Sequence, residues 1–291
     1  MVPMHTVRFS QVDVFSAVPF KGNPLAVVFD ADALSAPQMQ QVTSWLNLSE
    51  TTFLLRPTEP GADYRVRIFT PGGELPFAGH PTLGTCAAWL LRSGKPADAQ
   101  RIVQQSAIGL VPIRRAPEDN ANTAATRLAF AAPPFRSEAV DAPLLRKVIA
   151  ALGLQSGAVR DSAWLDNGPR WLTLWLDAAE TVLGLNPDHS TLKALGVKVG
   201  VAGPHGAGAE TAIEVRAFVS NLGVPEDPVT GSLNASLAQW LIGNGALPAR
   251  YVAAQGSRLG RSGRVHIAQD AQGQVWVGGD VRVVVQGQLS L

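Results

Sequence analysis

Residues 81–91, PTLGTCAAWLL, set the tightest limit on what this chain can fold into. Apolar or small side chains cover every face of this segment. A helix of that kind has no side for water and must be surrounded. Its Ala, Gly and Thr residues keep it thin, so strands can approach closely. Residues 233–242, LNASLAQWLI, share the character less strictly. The two segments share Ala-x-Trp-Leu, at 87–90 and 238–241. A sheet wrapped around such a helix buries it on all sides, and two helices ask for two such sheets. The fold class expected is therefore α+β. Most other segments read as strands joined by turns, which predicts largely antiparallel sheets.

The rest of the chain repeats in the same register. VDVFSAVPFKGNPLAVVF (12–29) reads as strand, turn, strand, with Gly22-Asn23-Pro24 as the turn signal; NGPRWLTLWL (167–176) has a related form. A helix follows in the first half. Ser35 and Gln38 form a capping box, and Met39, Val42 and Leu46 share one face. DHSTLKALG (188–196) is its shorter counterpart. Then come YRVRIF (64–69) and AIEVRAF (212–218), the two buried helices, and two strand pairs, IVQQSAIGLVPI (102–113) and YVAAQGSRLGRSGRVHI (251–267), each with a glutamine before a glycine-bearing turn. The polar run 114–126 is the linker candidate. The expected first domain is 1–117, completed by a C-terminal strand at 279–291, and the second is 118–278. VWVGGDVRVVVQGQLSL is expected to give two strands.

Composition closes several alternatives. A 46% hydrophobic and 16% charged chain of 291 residues builds a sizeable core. A net charge of +1 without a long basic run argues against a nucleic-acid partner. No apolar run is long enough to span a bilayer, and the N-terminal stretch reads as a strand rather than a signal peptide. Cys86 is the single cysteine, so no internal disulfide forms and the expected location is the cytoplasm. The histidines other than His80 have no metal-ligand spacing, and the glycine turn at 206–210 lacks a dinucleotide fingerprint. No metal and no cofactor are expected.

Chemistry becomes plausible at the helix starts. Gly79-His80 opens the first helix and Gly231-Ser232 the second. First-turn amides have no partner within the helix and carry the positive end of its dipole. Facing each other across a cleft, two such ends would hold a carboxylate or a developing enolate. Without further information each residue also has a plain reading. Glu50 is an exposed glutamate, His80 or Ser232 a helix cap, Asp227 a turn aspartate, and Cys86 a small buried hydrophobe.

Five segments in order, VFSAVPFKGNPLAVV, MQQVTSWLNLSETTFL, FTPGGELPFAGHPTLGT, EDPVTGSLNASLAQWL and QGSRLGRSGRVHI, resemble the PhzF-like family. That family is named for the phenazine-biosynthesis isomerase and is similar in fold to diaminopimelate epimerase. The resemblance implies two pseudo-symmetric domains, each a sheet around a central helix, with the site between them. It implies cofactor-independent isomerase chemistry on a small carboxylate-bearing substrate, and a homodimer. By motif position it makes Glu50, His80 and Asp227 catalytic, and Ser49, Gly79, Gly231 and Ser232 substrate-binding. Diaminopimelate epimerase and the racemases related to it use a cysteine in each half, whereas Ala78 and Thr230 precede the two glycines here. A two-thiol mechanism is therefore excluded. VSNLG after Phe218 stands where an alanine-proline pair is more usual. The rival expectations are an epimerase or lyase on the same scaffold, or a small-molecule-binding protein without turnover.

Overall fold

The computed structural model describes residues 6–92, 94–98, 100–115 and 125–291. Among them it is an α+β structure with 17 strands in a mixed sheet and six α-helices. By packing, the chain divides into Met1–Ala131 with Gly278–Leu291, and Ala132–Val277. The boundary expected between 117 and 118 lies outside the described residues. No helix among them is long and apolar enough to cross a membrane.

In the first unit β1 (Thr6–Val14) and β2 (Asn23–Val28) form an antiparallel pair, with Val14 opposite Asn23. The chain then crosses through α1 (Ala36–Leu46) to β3 (Thr51–Leu55), parallel to β2. Helix α1 starts where its sequence says it should. The Ser35 amide donates to the Gln38 side chain at 2.9 Å, and Asn47 closes the helix in the left-handed conformation that asparagine tolerates. Met39 is fully buried, with Val42 and Leu46 packed against the same cluster. Next come β4 (Tyr64–Thr70), antiparallel to β3, and the short β5 (Gly73–Leu75), antiparallel to β4. Helix α2 (Gly79–Leu91) leads to β6 (Arg101–Ser106), parallel to β4, and β7 (Gly109–Arg115) and β8 (Thr126–Ala131) follow antiparallel.

The residues of α2 from Gly79 to Ala88 are all buried. Gly84 shows how close the packing is. A Cβ there would lie 2.6 Å from Leu25 and 2.9 Å from Val12. The thin helix read from the sequence is a geometric requirement of the strands around it.

The second unit opens with β9 (Arg136–Glu138) and α3 (Ala142–Ala151), then β10 (Val159–Asp166), antiparallel to β11 (Arg170–Leu176). Two short helices, α4 (Ala179–Gly184) and α5 (His189–Leu195), stand where one was expected. They lead to β12 (Val199–Pro204), parallel to β11, and then to β13 (Ile213–Phe218) and the two-residue β14 (Glu226–Asp227), both antiparallel additions. Helix α6 (Gly231–Gly243) crosses to β15 (Arg250–Gln255), parallel to β13, and β16 (Gly263–Gln269) returns antiparallel. From β1 to β7 and from β10 to β16, strands pair in the same order and the same senses.

One expectation needs qualification and one needs correction. The pairings are largely antiparallel, as expected, but the sheet is mixed, because four connections contain helices and bring the next strand in parallel. The C-terminal run is one 16-residue strand, β17 (Val275–Ser290), rather than two. Gly278 and Gly279 lie within the strand, and at Gly278 a Cβ would lie 2.9 Å from the Leu128 carbonyl oxygen. From Gly278 onward β17 belongs to the first unit, where it pairs antiparallel with β1.

Candidate active site

In the first unit, three element starts bring polar groups together. Asn23 begins β2, Glu50 directly precedes β3, and His80 is the second residue of α2. Glu50 Oε2 lies 3.5 Å from His80 Nε2, and the two side chains are 16% and 4% exposed. Asn23, with no exposure, places Nδ2 3.4 Å from His80 Nδ1. The β1–β2 connection holds Asn23 in place. The buried Asp13 carboxylate accepts from the Lys21 amide at 2.9 Å and the Gly22 amide at 3.0 Å. Phe15 and Phe20 both take left-handed backbone conformations there, unusual for bulky residues.

The strand carrying Glu50 is tied to the helix carrying His80. Thr85 of α2 donates to Thr52 of β3 at 2.8 Å, and Thr52 donates to the Ala26 carbonyl. Beneath the helix start, Gln104 donates to Thr82 at 3.1 Å and accepts from the Tyr64 hydroxyl. Burial pushes the His80 imidazole down to about 3, and a backbone hydrogen bond to Pro24 offsets only part of that. His80 is therefore a neutral ring at neutral pH, and its contact with Glu50 is not an ion pair. The N-cap, Ala78, has no polar side chain, and Pro81 has no amide hydrogen. Gly79 and His80 thus supply the two amides of the helix mouth. Ser49 is half-buried beside Glu50.

In the second unit, Asp227, Gly231 and Ser232 gather at the start of α6. Thr230 Oγ1 donates to Asp227 Oδ2 at 2.5 Å. The fully buried Gln255 amide fixes this turn with four hydrogen bonds. It donates to the Asp227 carbonyl and the Thr230 hydroxyl and accepts from the Thr230 amide and the Asn234 side chain. Ser232 is buried in the first turn rather than capping it, since Thr230 holds the N-cap position. The Ser232 carbonyl accepts from Asn167 at 2.9 Å. Gly79 and Gly231 occupy the same first position of their helices, as His80 and Ser232 occupy the second.

Sequence reading missed Asn23, Thr230 and Gln255 as parts of these clusters. Asn23 was visible only as a turn residue, while the glutamine recurring before a glycine turn in both halves was a signal for Gln255. Cys86 is fully buried one residue beyond the second turn of α2, with its thiol pushed up to about 12 by burial. Among the described residues no group of three His, Cys, Asp or Glu side chains could hold a metal ion.

A family profile for phenazine biosynthesis-like proteins matches residues 12–288. Trans-2,3-dihydro-3-hydroxyanthranilate isomerase of Pseudomonas aeruginosa is 36% identical over 269 residues, covering 92% of each chain. Antisense-enhancing sequence 1 of Schizosaccharomyces pombe is 36% identical over 96% of this chain and 97% of its own. A phenazine biosynthesis protein of the PhzF family from Bacillus anthracis superposes with a TM-score of 0.83, covering 99% of this chain and all of that one; at 21% identity it speaks to the fold alone. Further relatives over almost the full length carry the name isomerase, and the protein is an enzyme of the isomerase class. It belongs to the phenazine biosynthesis-like, or PhzC-PhzF, family.

Proposed function

We propose that the protein is a cofactor-independent isomerase that moves a proton on a small carboxylate-bearing metabolite, with Glu50 as the acid and base. The observation that carries this reading is the buried contact of 3.5 Å between Glu50 Oε2 and His80 Nε2 at the start of α2. Glu50 takes a proton from one carbon, and the electron pair of that C–H bond shifts into a new double bond. The former double bond opens towards a second carbon, which receives the proton back from Glu50, so no atom or electron is gained or lost. The Gly79 and His80 amides face the negative charge that develops on a carboxylate or enolate oxygen. Neutral His80 orients Glu50 or donates to a substrate oxygen. Asp227 is the third catalytic residue of the proposal, and Ser49, Gly231 and Ser232 contact the substrate.

The reading takes the two units, with their common order of strand pairing, as pseudo-symmetric halves of a diaminopimelate-epimerase-like fold. It takes the working enzyme as a cytoplasmic homodimer, which sedimentation equilibrium tests. The function is tested by incubating the protein in heavy water with a pool of small carboxylates, including the dihydro-hydroxyanthranilate, and following mass gain. A deuteron is expected in the isomerised product of the wild type. Glu50→Gln should lose turnover by about 100-fold or more while still melting cooperatively and binding the same compound. A Glu50→Gln enzyme as fast as the wild type would remove Glu50 from the reaction.

A further inference from the structure

We infer that Asn23 is a positioning residue of this site: its side-chain amide donates to Nδ1 of His80 and keeps the ring proton on Nε2, facing Glu50. The inference rests on the reading of Glu50 and His80 as the proton-moving pair, yet it concerns an atom whose position can be measured without a substrate.

The argument begins with a neutral ring that carries a single proton. Two groups compete for Nδ1. The Asn23 amide nitrogen lies 3.4 Å away and offers a hydrogen, whereas the Pro24 backbone hydrogen-bonds the ring and favours a ring N–H towards its carbonyl. Glu50 acts in the same sense as Asn23 at the other end of the ring. Its Oε2 is 3.5 Å from Nε2. With the proton on Nδ1, the Nε2 lone pair would face a carboxylate oxygen in a nearly dry site, and the two would repel. With the proton on Nε2, the Asn23 amide donates to Nδ1 and the ring N–H faces the Glu50 carboxylate across 3.5 Å, an electrostatic attraction rather than a hydrogen bond. Asn23 suits the role because it cannot move away. It is fully buried at the first residue of β2, opposite Val14, and Asp13 clamps the amides of the two residues before it.

The chemical consequence is a ring N–H turned towards the carboxylate that, in the proposed reaction, accepts the proton from carbon. The opposite tautomer would favour a protonated Glu50 donating to Nε2, which begins the cycle as an acid. Asn23 thereby selects the direction in which the pair is poised.

Ring nitrogen spectra test this directly. The full-length protein would be labelled with ¹⁵N-histidine and recorded at neutral pH, with His80→Gln assigning the His80 signals by their loss. The wild type is expected to show an unprotonated Nδ1 and a protonated Nε2. In Asn23→Leu, close in size but without a donor, the Pro24 carbonyl gains the advantage. The tautomer ratio should then move towards Nδ1–H by roughly threefold to tenfold, the worth of about one hydrogen bond. A wild-type proton on Nδ1 would overturn the inference, as would an Asn23→Leu spectrum with the same ratio as the wild type. Should Asn23→Leu not fold, Asn23→Ala, which also lacks the donor, is recorded in its place with the same shift expected. An active Glu50→Gln enzyme would defeat the proposed function and leave this spectrum unaffected.

Discussion

Acid is expected to loosen this protein through His80, and the size of the effect follows from burial. In the unfolded chain the ring titrates near its ordinary 6.5; in the folded protein burial brings it down to about 3. Between those values the unfolded state binds a proton and the native state does not. Stability therefore rises with pH through this window and is lost as pH falls below the unfolded value. From about pH 7.5 to about pH 5 the ring alone should cost about 2 kcal/mol, or roughly 1.5 units at 1.36 kcal/mol each. The loss would grow towards about 5 kcal/mol near pH 3, where the native ring begins to accept the proton. Urea titrations of the wild type and of His80→Gln, each at the two higher pH values, isolate the term. His80→Gln has its own stability offset, but the offset cancels in the difference between pH values, as do the other histidines. The wild type should lose about 2 kcal/mol more than the variant. Equal losses, within about 0.5 kcal/mol, would mean that the buried ring accepts a proton freely, and the argument from desolvation would be wrong.

Three further substitutions probe the two buried helices and their surroundings. Gln255→Leu should cost about 2–5 kcal/mol in denaturant titrations, because the Thr230 amide and one Asn234 N–H lose their buried acceptor. Gly84→Ala gains about 1 kcal/mol of helix propensity but must push Leu25, Val12 and Val14 apart, a cost of about 1–3 kcal/mol, so a net fall in melting temperature is expected. Gly243→Ala at the far end of α6 meets nothing within 4 Å and should be neutral or slightly stabilising in the same assay.

Much of this architecture is legible in residue patterns because the requirements are local. A helix small on every face announces strands on every side, and Gly84 shows the requirement met at 2.6 Å from Leu25. The cap at Ser35 and Gln38 is likewise written in four residues. Strand direction is not local. Whether β6 joins β4 parallel or antiparallel depends on where α2 delivers the chain, and no alternation of side chains encodes that. Gly278 and Gly279 misled for a related reason. They look like a break, but at Gly278 the glycine serves a close backbone approach to Leu128 within a continuing strand.

The candidate site shows the same division. Glu50 and His80 stand 30 positions apart, and their contact exists because Thr85 and Thr52 join the helix to the strand. Asn23 was hidden because a turn asparagine and a buried hydrogen-bond partner look alike in sequence. The two helix starts then make a physical contrast. The backbone device is the same, with a glycine first and a polar residue second, and in each unit a buried glutamine lies beneath the helix start. The side chains differ. The first unit buries an imidazole against a carboxylate, and the second closes Asp227 onto the hydroxyl of Thr230. A duplicated backbone can supply anion-binding amides twice, but proton transfer at carbon needs one group whose proton is free to leave. In the first unit Glu50 sits beside a ring too desolvated to hold a charge, whereas Asp227 is held by the Thr230 hydroxyl within its own turn. That asymmetry is the reason the proposal places the moving proton on Glu50 and gives Asp227 the part of orienting the substrate.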